Sequence, residues 1–464
     1  MTTGGRSRIV VATPEGLAAR MAGPAIRAWH MAEALAAEHD VQLVTPGPCG
    51  RRHPAFRARQ AGAGDWPELE RWMDVLVFQG GLLHDHPFLR RSEKVVVADV
   101  YDPFHLESLE QTRGWEPGRR ADTVRRLTEV LNEQLRRGDF LLCAAGRQRD
   151  FWLGSLAALG RVNPATYDED VDLASLLAVV PFGLPPEPPV ATVPAMRGVV
   201  PGIGPGDKIV LWAGGVYNWF DPLTLVEAVD RLRRRLPAVR LFFLGLQHPN
   251  PDIPPMRMAT ALRELAAERG LVGTHVFFNE GWVDYDARAG YLLEADVGVS
   301  THFRHLETAY SFRSRILDYL WAGLPVVATG GDTFADLIET EGLGAAVAPG
   351  DVEGLEEALW RLLSDEEQAA ACRANVARVA PRYAWPVVLE PLLAFCRAPR
   401  RAPDLAAASV APPAAPAGLA GRMGAAYRDG GAGLVLRRSA ASLRRRLARG
   451  GRPAGAWTEG RSEP

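Results

Sequence analysis

Short apolar runs alternate with longer stretches whose apolar positions recur at helical spacing, and the alternation starts at once. RIVVATP (8–14), AIRAWHMAEALAAEH (25–39) and DVQLVTPG (40–47) predict strand, helix and strand, a βαβ unit. Further strands are predicted at MDVLVFQG (73–80) and KVVVADVY (94–101) and, after a helix over 119–136, at DFLLCAA (139–145). Runs that are apolar throughout, without polar alternation, indicate parallel strands buried on both faces. A proline-rich connection, VVPFGLPPEPPVATVP (179–194), interrupts the pattern, which restarts at KIVLWAGG (208–215). Strand and helix then alternate through VRLFFLGL, MATALRELAAERG, VFFNEGW, ADVGVSTH, RILDYLWAG and PVVATGG to about Asp365. The fold class is therefore α/β, with two Rossmann-like doubly wound domains facing a cleft. In such folds a ligand sits beyond the carboxyl ends of the strands. The expected boundaries are 1–185 and 206–380 for the two domains, with 381–400 as a closing helix and 401–464 as a Pro/Ala/Gly-rich linker and basic tail.

Composition sharpens this picture in three places. At 464 residues, 47% hydrophobic and 23% charged, the chain has the length for two domains and the apolar content for large cores. The formal net charge is −2, so no overall basic field draws nucleic acid, and none is expected as a partner. Cys49, Cys143, Cys372 and Cys396 are far apart and form no CxxC pair, which argues against both a zinc site and a disulfide framework and for a reducing, cytoplasmic setting. The N-terminal apolar run is too short for a signal-peptide core, and no stretch is long enough to span a bilayer. Positive charge gathers in the tail, where LVLRRSAASLRRRLARGG has the arginines of a rough amphipathic helix. Such a segment suits either peripheral contact with an anionic membrane or a solubilising basic tail.

No GxSxG, HExxH or GxxxxGK[ST] motif is present. The most informative segment is instead RILDYLWAGLPVVATGGD (Arg315–Asp332). It resembles the stretch of retaining GT-B glycosyltransferases of family 4 (glycosyltransferase group 1) in which an acidic residue opens a helix that runs out into Gly-x-Pro-Val-Val-Ala. The resemblance extends over roughly residues 8–395 and implies transfer of a sugar from a nucleoside diphosphate donor to an acceptor hydroxyl. That acceptor would be a glycan, a lipid-linked compound or a small molecule. No metal and no cofactor beyond the donor substrate are implied.

The resemblance assigns roles position by position. Asp318 stands where the ribose-binding acid is expected; its alternative is to complement the helix dipole. The position of the family glutamate that meets the donor sugar, eight residues earlier, is Tyr310 here. Glu307 is the nearest glutamate, either taking that role or lying solvated in a loop. Where the family clamps the diphosphate with two cations, after the first strand of the second half, this chain has Val216 and Asp221. Asp221 followed by Pro222 is a helix-start signal. Compensating charge is expected from Arg313 first and Arg315 second, each also open to a plain surface role. Gly215 would let the loop approach the donor, and Trp282 and Val283 would meet the base or plug the gap between strand and helix. On the N-terminal side, Gly23 opens a helix whose amides would face the donor phosphate, with Arg27 as a further candidate. His105, in ADVYDPFHLESLEQ, would orient a sugar hydroxyl or handle a proton near neutrality, or be an ordinary structural histidine. Other readings of the same residues are a nucleotide-sugar 2-epimerase and an auxiliary protein that binds nucleotide sugars without turnover.

Overall fold

A computed structural model describes residues 6–246 and 256–410 of the chain. Among the described residues, two parallel sheets account for the strands. The first has the order β3-β2-β1-β4-β5-β6-β7: β1 (Arg8–Ala12), β2 (Asp40–Thr45), β3 (Arg57–Gln60), β4 (Val75–Phe78), β5 (Val95–Asp99), β6 (Phe140–Cys143) and β7 (Leu177–Val179). The second has the order β10-β9-β8-β11-β12-β13: β8 (Lys208–Trp212), β9 (Val239–Phe243), β10 (Val276–Phe278), β11 (Val297–Ser300), β12 (Val326–Thr329) and β13 (Gly344–Val347). Each order reverses direction once, between β1 and β4 and between β8 and β11, and at such a switch point the loops splay apart and leave a crevice.

The central strands are closed to solvent on both faces, as their uninterrupted apolar sequences require. Ile9, Val10, Val75, Leu76, Val96 and Leu141 are fully buried in the first sheet, and Ile209, Val210, Leu241, Val299 and Val327 in the second. Helix starts follow local chemistry. Asp221 accepts from the Thr224 amide at 3.1 Å and from the Thr224 hydroxyl at 2.6 Å, so this carboxylate is the cap that the Asp-Pro sequence signals. Val216 is buried in the second core.

The segment after the second sheet returns to the first half. The helix Glu390–Arg397 lays Phe395 on Phe140 of β6, with ring centroids 4.4 Å apart, and Trp385 stacks on His30 at 4.8 Å. Arg401 donates to Asp139 at 2.9 Å, and Arg161 holds Asp404 at 2.5 Å. A helix, Pro403–Val410, occupies the start of the stretch expected to be linker, because Asp404 and Arg401 tie it down. The rest of the 401–464 tail, and with it the possible membrane contact, lies outside the described residues. No described helix is long and apolar enough to cross a membrane.

Candidate functional site

The helix Ser314–Trp321 organises the cleft side of the second half. Its Tyr319 is fully buried, with its ring against Gly298 of β11, where any Cβ would collide with it. The Tyr319 hydroxyl accepts from the Ala213 amide at 2.9 Å and lies 2.7 Å from the Val299 carbonyl and 3.0 Å from the Leu211 carbonyl. One side chain thereby fixes the helix to the carboxyl ends of β8 and β11. The loop after β8 turns away at Gly214, whose φ of +101° is a left-handed conformation that favours glycine.

Arg313 and Arg315 differ in the partners the fold gives them. Arg313 donates from both terminal nitrogens to Glu307, at 2.7 and 2.6 Å, in a pair that is almost wholly buried. Ser311 adds a hydroxyl to the same carboxylate at 2.5 Å. Arg313 is therefore already neutralised, and a diphosphate would have to compete with Glu307 for it. Arg315 is also buried, stacked over Trp212 at 4.5 Å and Phe220 at 4.1 Å. Its Nη2 donates to the Gly215 carbonyl at 2.8 Å, while its Nη1 has no hydrogen-bond partner. Among the described residues no carboxylate pairs with it, and burial lowers its pKa to about 10. At neutral pH it is a charged, desolvated group with a donor to spare, at the loop where the expected cations are missing. An arriving anion would remove that penalty.

Glu307 is not a solvated loop residue. It is 1% exposed; burial pushes its carboxyl up, but the charge and hydrogen bonds of Arg313 outweigh this and hold it below the ordinary value. Tyr310, at the position aligned with the family glutamate, points elsewhere. Its ring lies 4.7 Å from Phe151, and its carbonyl accepts from Gln148 of the first half at 2.7 Å.

Two further acids of the first half feel Glu307. Asp102 and Glu107 belong to the loop and helix that follow β5. Burial, then the charges of Glu307 and Asp99, raise Asp102 to about 7. Burial, then Asp102 and Glu307, raise Glu107 well above its usual value. The acid-rich sequence around them was legible, but their approach to Glu307 depends on the two halves meeting and leaves no local sequence signal.

Arg27 does not face the cleft as a phosphate ligand. It forms a fully buried pair with Asp99, at 2.6 and 2.9 Å, and also donates to the carbonyls of Val180 and Pro181. It ties the helix Gly23–Ala36 to the ends of β5 and β7. His105 also departs from expectation: burial lowers its pKa to about 4, its Nδ1 has no partner, and its ring lies 5.9 Å from Phe151 and 6.0 Å from Trp152. It is neutral at pH 7 and packs as an aromatic, so the reading of His105 as a proton carrier near neutrality is corrected.

Of the remaining candidates, Trp282 reaches across to the first half. Gly23 begins its helix with no side-chain cap, within reach of Phe182 and Tyr101. Gly215 is crowded by the Tyr217 ring, which a Cβ would meet at 3.0 Å, so its backbone approaches a side chain of this chain. Trp282 donates to the Met21 carbonyl at 3.3 Å and packs on Gly245, and Val283 sits against the core. Asp318 lies one turn inside its helix and accepts from Arg288 at 3.0 Å, with about a third of its side chain exposed. Arg288 itself is pinned over Tyr285 and Trp321.

Comparison with known proteins bears on this geometry. Residues 207–365, which include the second sheet, match the family model for glycosyl transferases group 1. A phosphatidyl-myo-inositol mannosyltransferase of Mycolicibacterium smegmatis is 27% identical over 164 residues, 35% of this chain and 38% of that protein. The chain thus matches well under half the length of this curated relative. Sucrose-phosphate synthase from Thermosynechococcus elongatus superposes with a TM-score of 0.58 at 18% identity, over 87% of this chain and 100% of its own. Anabaena HepE in complex with UDP-glucose gives 0.58 at 12% identity, over 84% and 98%. The two parallel-sheet, Rossmann-like domains are the GT-B fold.

Proposed function

We propose that the chain is a retaining glycosyltransferase that uses a nucleoside diphosphate sugar. The bond between the anomeric carbon and its phosphate oxygen breaks, and the anomeric carbon joins an acceptor hydroxyl oxygen on the same face. The leaving phosphate oxygen keeps the bonding electron pair and takes the acceptor's proton. The observation that carries the reading is Arg315, a buried cation with no carboxylate partner among the described residues, in the segment that matches glycosyl transferases group 1. A departing diphosphate accumulates negative charge, and a fixed guanidinium can stabilise it without reorganising.

Around that point the roles fall to neighbours. Asp318, partly exposed in the next turn, suits the ribose hydroxyls, and Trp282 with Val283 the base. The amide end of the helix at Gly23 suits the sugar-phosphate side. Glu307, held rigid by Arg313, is the carboxylate for the donor sugar. The acceptor is a hydroxyl of a glycan, a lipid-linked compound or a small molecule. The reading uses no metal and no cofactor besides the donor.

The test begins with thermal shift against UDP, GDP and ADP, since a ligand raises apparent stability by RT ln(1 + [L]/Kd). The sugar conjugates of the binding nucleotide are then followed by NMR, with and without acceptors. An α-linked donor should give an α-linked product. No stabilisation by any nucleotide, together with no donor consumption, would sink the proposal. Donor conversion without an acceptor would favour an epimerase.

A further inference from the structure

Arg288 opens the helix Arg288–Glu294 and is 9% exposed. Its Nε donates to Asp318 Oδ1 at 3.0 Å and its Nη1 to the Tyr285 carbonyl at 2.7 Å. The central carbon of the guanidinium lies 3.7 Å from the centroid of the Tyr285 ring and 4.5 Å from that of Trp321. A planar cation packed on two aromatic rings and held by two hydrogen bonds has little rotamer freedom left, so the direction of its Nε–H is set. Burial lowers its pKa, but the charge of Asp318 and the hydrogen bond to it, with Tyr285 and Asp286 adding, raise it on balance.

The seat of Arg288 is drawn from distant parts of the chain. Trp321 stands three residues beyond Asp318 on the same helix, so the two share a face; its indole donates to the Glu187 carbonyl at 2.7 Å. Tyr285 is anchored on the first half. Its amide donates to the Ala19 carbonyl at 2.9 Å, and its hydroxyl lies 3.1 Å from His30 Nε2.

Asp318 keeps capacity to spare. Among the described residues only its Oδ1 takes a hydrogen bond, and 34% of the side chain is exposed. An ionised carboxylate has about four lone-pair sites, of which Arg288 uses one. Two vicinal hydroxyls are bound well only by a carboxylate whose oxygens already point the right way, and the ion pair removes the rotation that would otherwise be lost on binding.

We propose that Arg288 is the positioning residue for the donor's ribose: it fixes Asp318 so that the carboxylate accepts from the 2′ and 3′ hydroxyls, and takes its own position from Tyr285 and thereby from the first half. This role rests on the assignment of Asp318 to the ribose under the glycosyltransferase reading. Arg288 acts through Asp318, 30 residues away in the chain. An ion pair that only held the fold together would stabilise the protein without altering its preference between a ribose and a sugar that lacks both hydroxyls.

The experiment measures, by calorimetry on the full chain, the affinity for UDP, GDP and ADP and for the 2′,3′-dideoxy form of whichever binds, with melting temperatures alongside. Wild type should prefer the ribose form by about tenfold or more, the worth of one charge-assisted hydrogen bond. Arg288→Met, which keeps an unbranched chain against Tyr285 and Trp321, should bring that ratio close to one whatever happens to overall affinity, as should Asp318→Ala. If Arg288→Met fails to fold, Arg288→Lys, which keeps the charge without the planar fork, should lower the ratio. Equal losses for both ligands, with the ratio intact in the Arg288 variant, would overturn the proposal. So would a wild type that binds both forms alike, although its nucleotide binding would leave the glycosyltransferase reading standing. No binding of any of the three nucleotides by wild type would sink that reading and this role together.

Discussion

Replacing Arg315 by Met, and separately Arg313 by Ala, asks which cation serves the donor. In Arg315→Met the lost contacts are one hydrogen bond to a neutral carbonyl and the stacking on Trp212 and Phe220, which the thioether chain partly restores. A neutral hydrogen bond contributes about 1 kcal/mol. Against that loss, the variant no longer desolvates a charge with no carboxylate opposite it. The two effects offset, so the melting temperature should stay within a few degrees of wild type, or rise. Arg313→Ala is a different perturbation, because it strips Glu307, buried at 1% exposure, of a bidentate partner. Breaking such a pair costs about 3–5 kcal/mol, on the order of 10 °C in a domain of this size. Function should separate in the opposite sense. Loss of one transition-state charge stabiliser lowers kcat by about 10²–10³, and Arg315→Met should show this together with a lost thermal shift from the nucleotide that binds wild type. Scanning fluorimetry with and without nucleotide, followed by donor-consumption assays on whichever variants fold, reads both. If Arg315→Met keeps the full nucleotide shift and normal turnover, Arg315 is not at the phosphates, and the role returns to Arg313 or to helix amides.

Three further outcomes follow from the same geometry. His105→Phe should leave the pH profile of turnover between 6 and 8 unchanged, because a histidine with pKa about 4 carries no charge there; loss of an ionisation near 6.5 in the variant's profile would contradict this. Asp102, raised to about 7 in the fold against an ordinary value of 3.8, binds a proton in the folded state that the unfolded chain has released. Its contribution is destabilising and grows from about pH 4 to about pH 7, so Asp102→Asn should raise the melting temperature at pH 8 by a few degrees and leave it unchanged near pH 4. An equal shift at both pH values would refute the assignment. Turnover should persist in EDTA, since arginine and helix amides supply the compensating charge; activity lost to chelator and restored by Mg²⁺ or Mn²⁺ would refute this and make Asp99 and Asp102 the first residues to test as metal ligands.

The sheets were legible in the sequence where burial on both faces left uninterrupted apolar runs. That condition holds for β1, β4, β5, β6, β8, β10, β11 and β12, while in β2 and β9 one polar residue, Gln42 or Arg240, interrupts an otherwise apolar run. It fails at the edges. β3 is RARQ, with exposed Arg57 and Gln60, and β13 is GAAV, with every residue only partly buried, so neither carries the apolar signal. The helix start at Asp221 was equally legible, because an Asp-Pro cap is a local matter. The charge assignments were not, because a side chain's partner lies elsewhere in the chain. Arg27 is 72 residues from Asp99 and disappears into the first half, although its place in the first turn of a cleft-facing helix pointed to phosphate. Arg313 and Arg315 are two residues apart, and a short helical turn, Leu306–Tyr310, brings Glu307 back to one of them only. The sequence shows two arginines and a glutamate; the pairing decides which arginine is left uncompensated. Among the described residues Arg313 is paired with Glu307 and Arg315 with no carboxylate, which only the fold reveals and which is why the proposed donor role falls to Arg315.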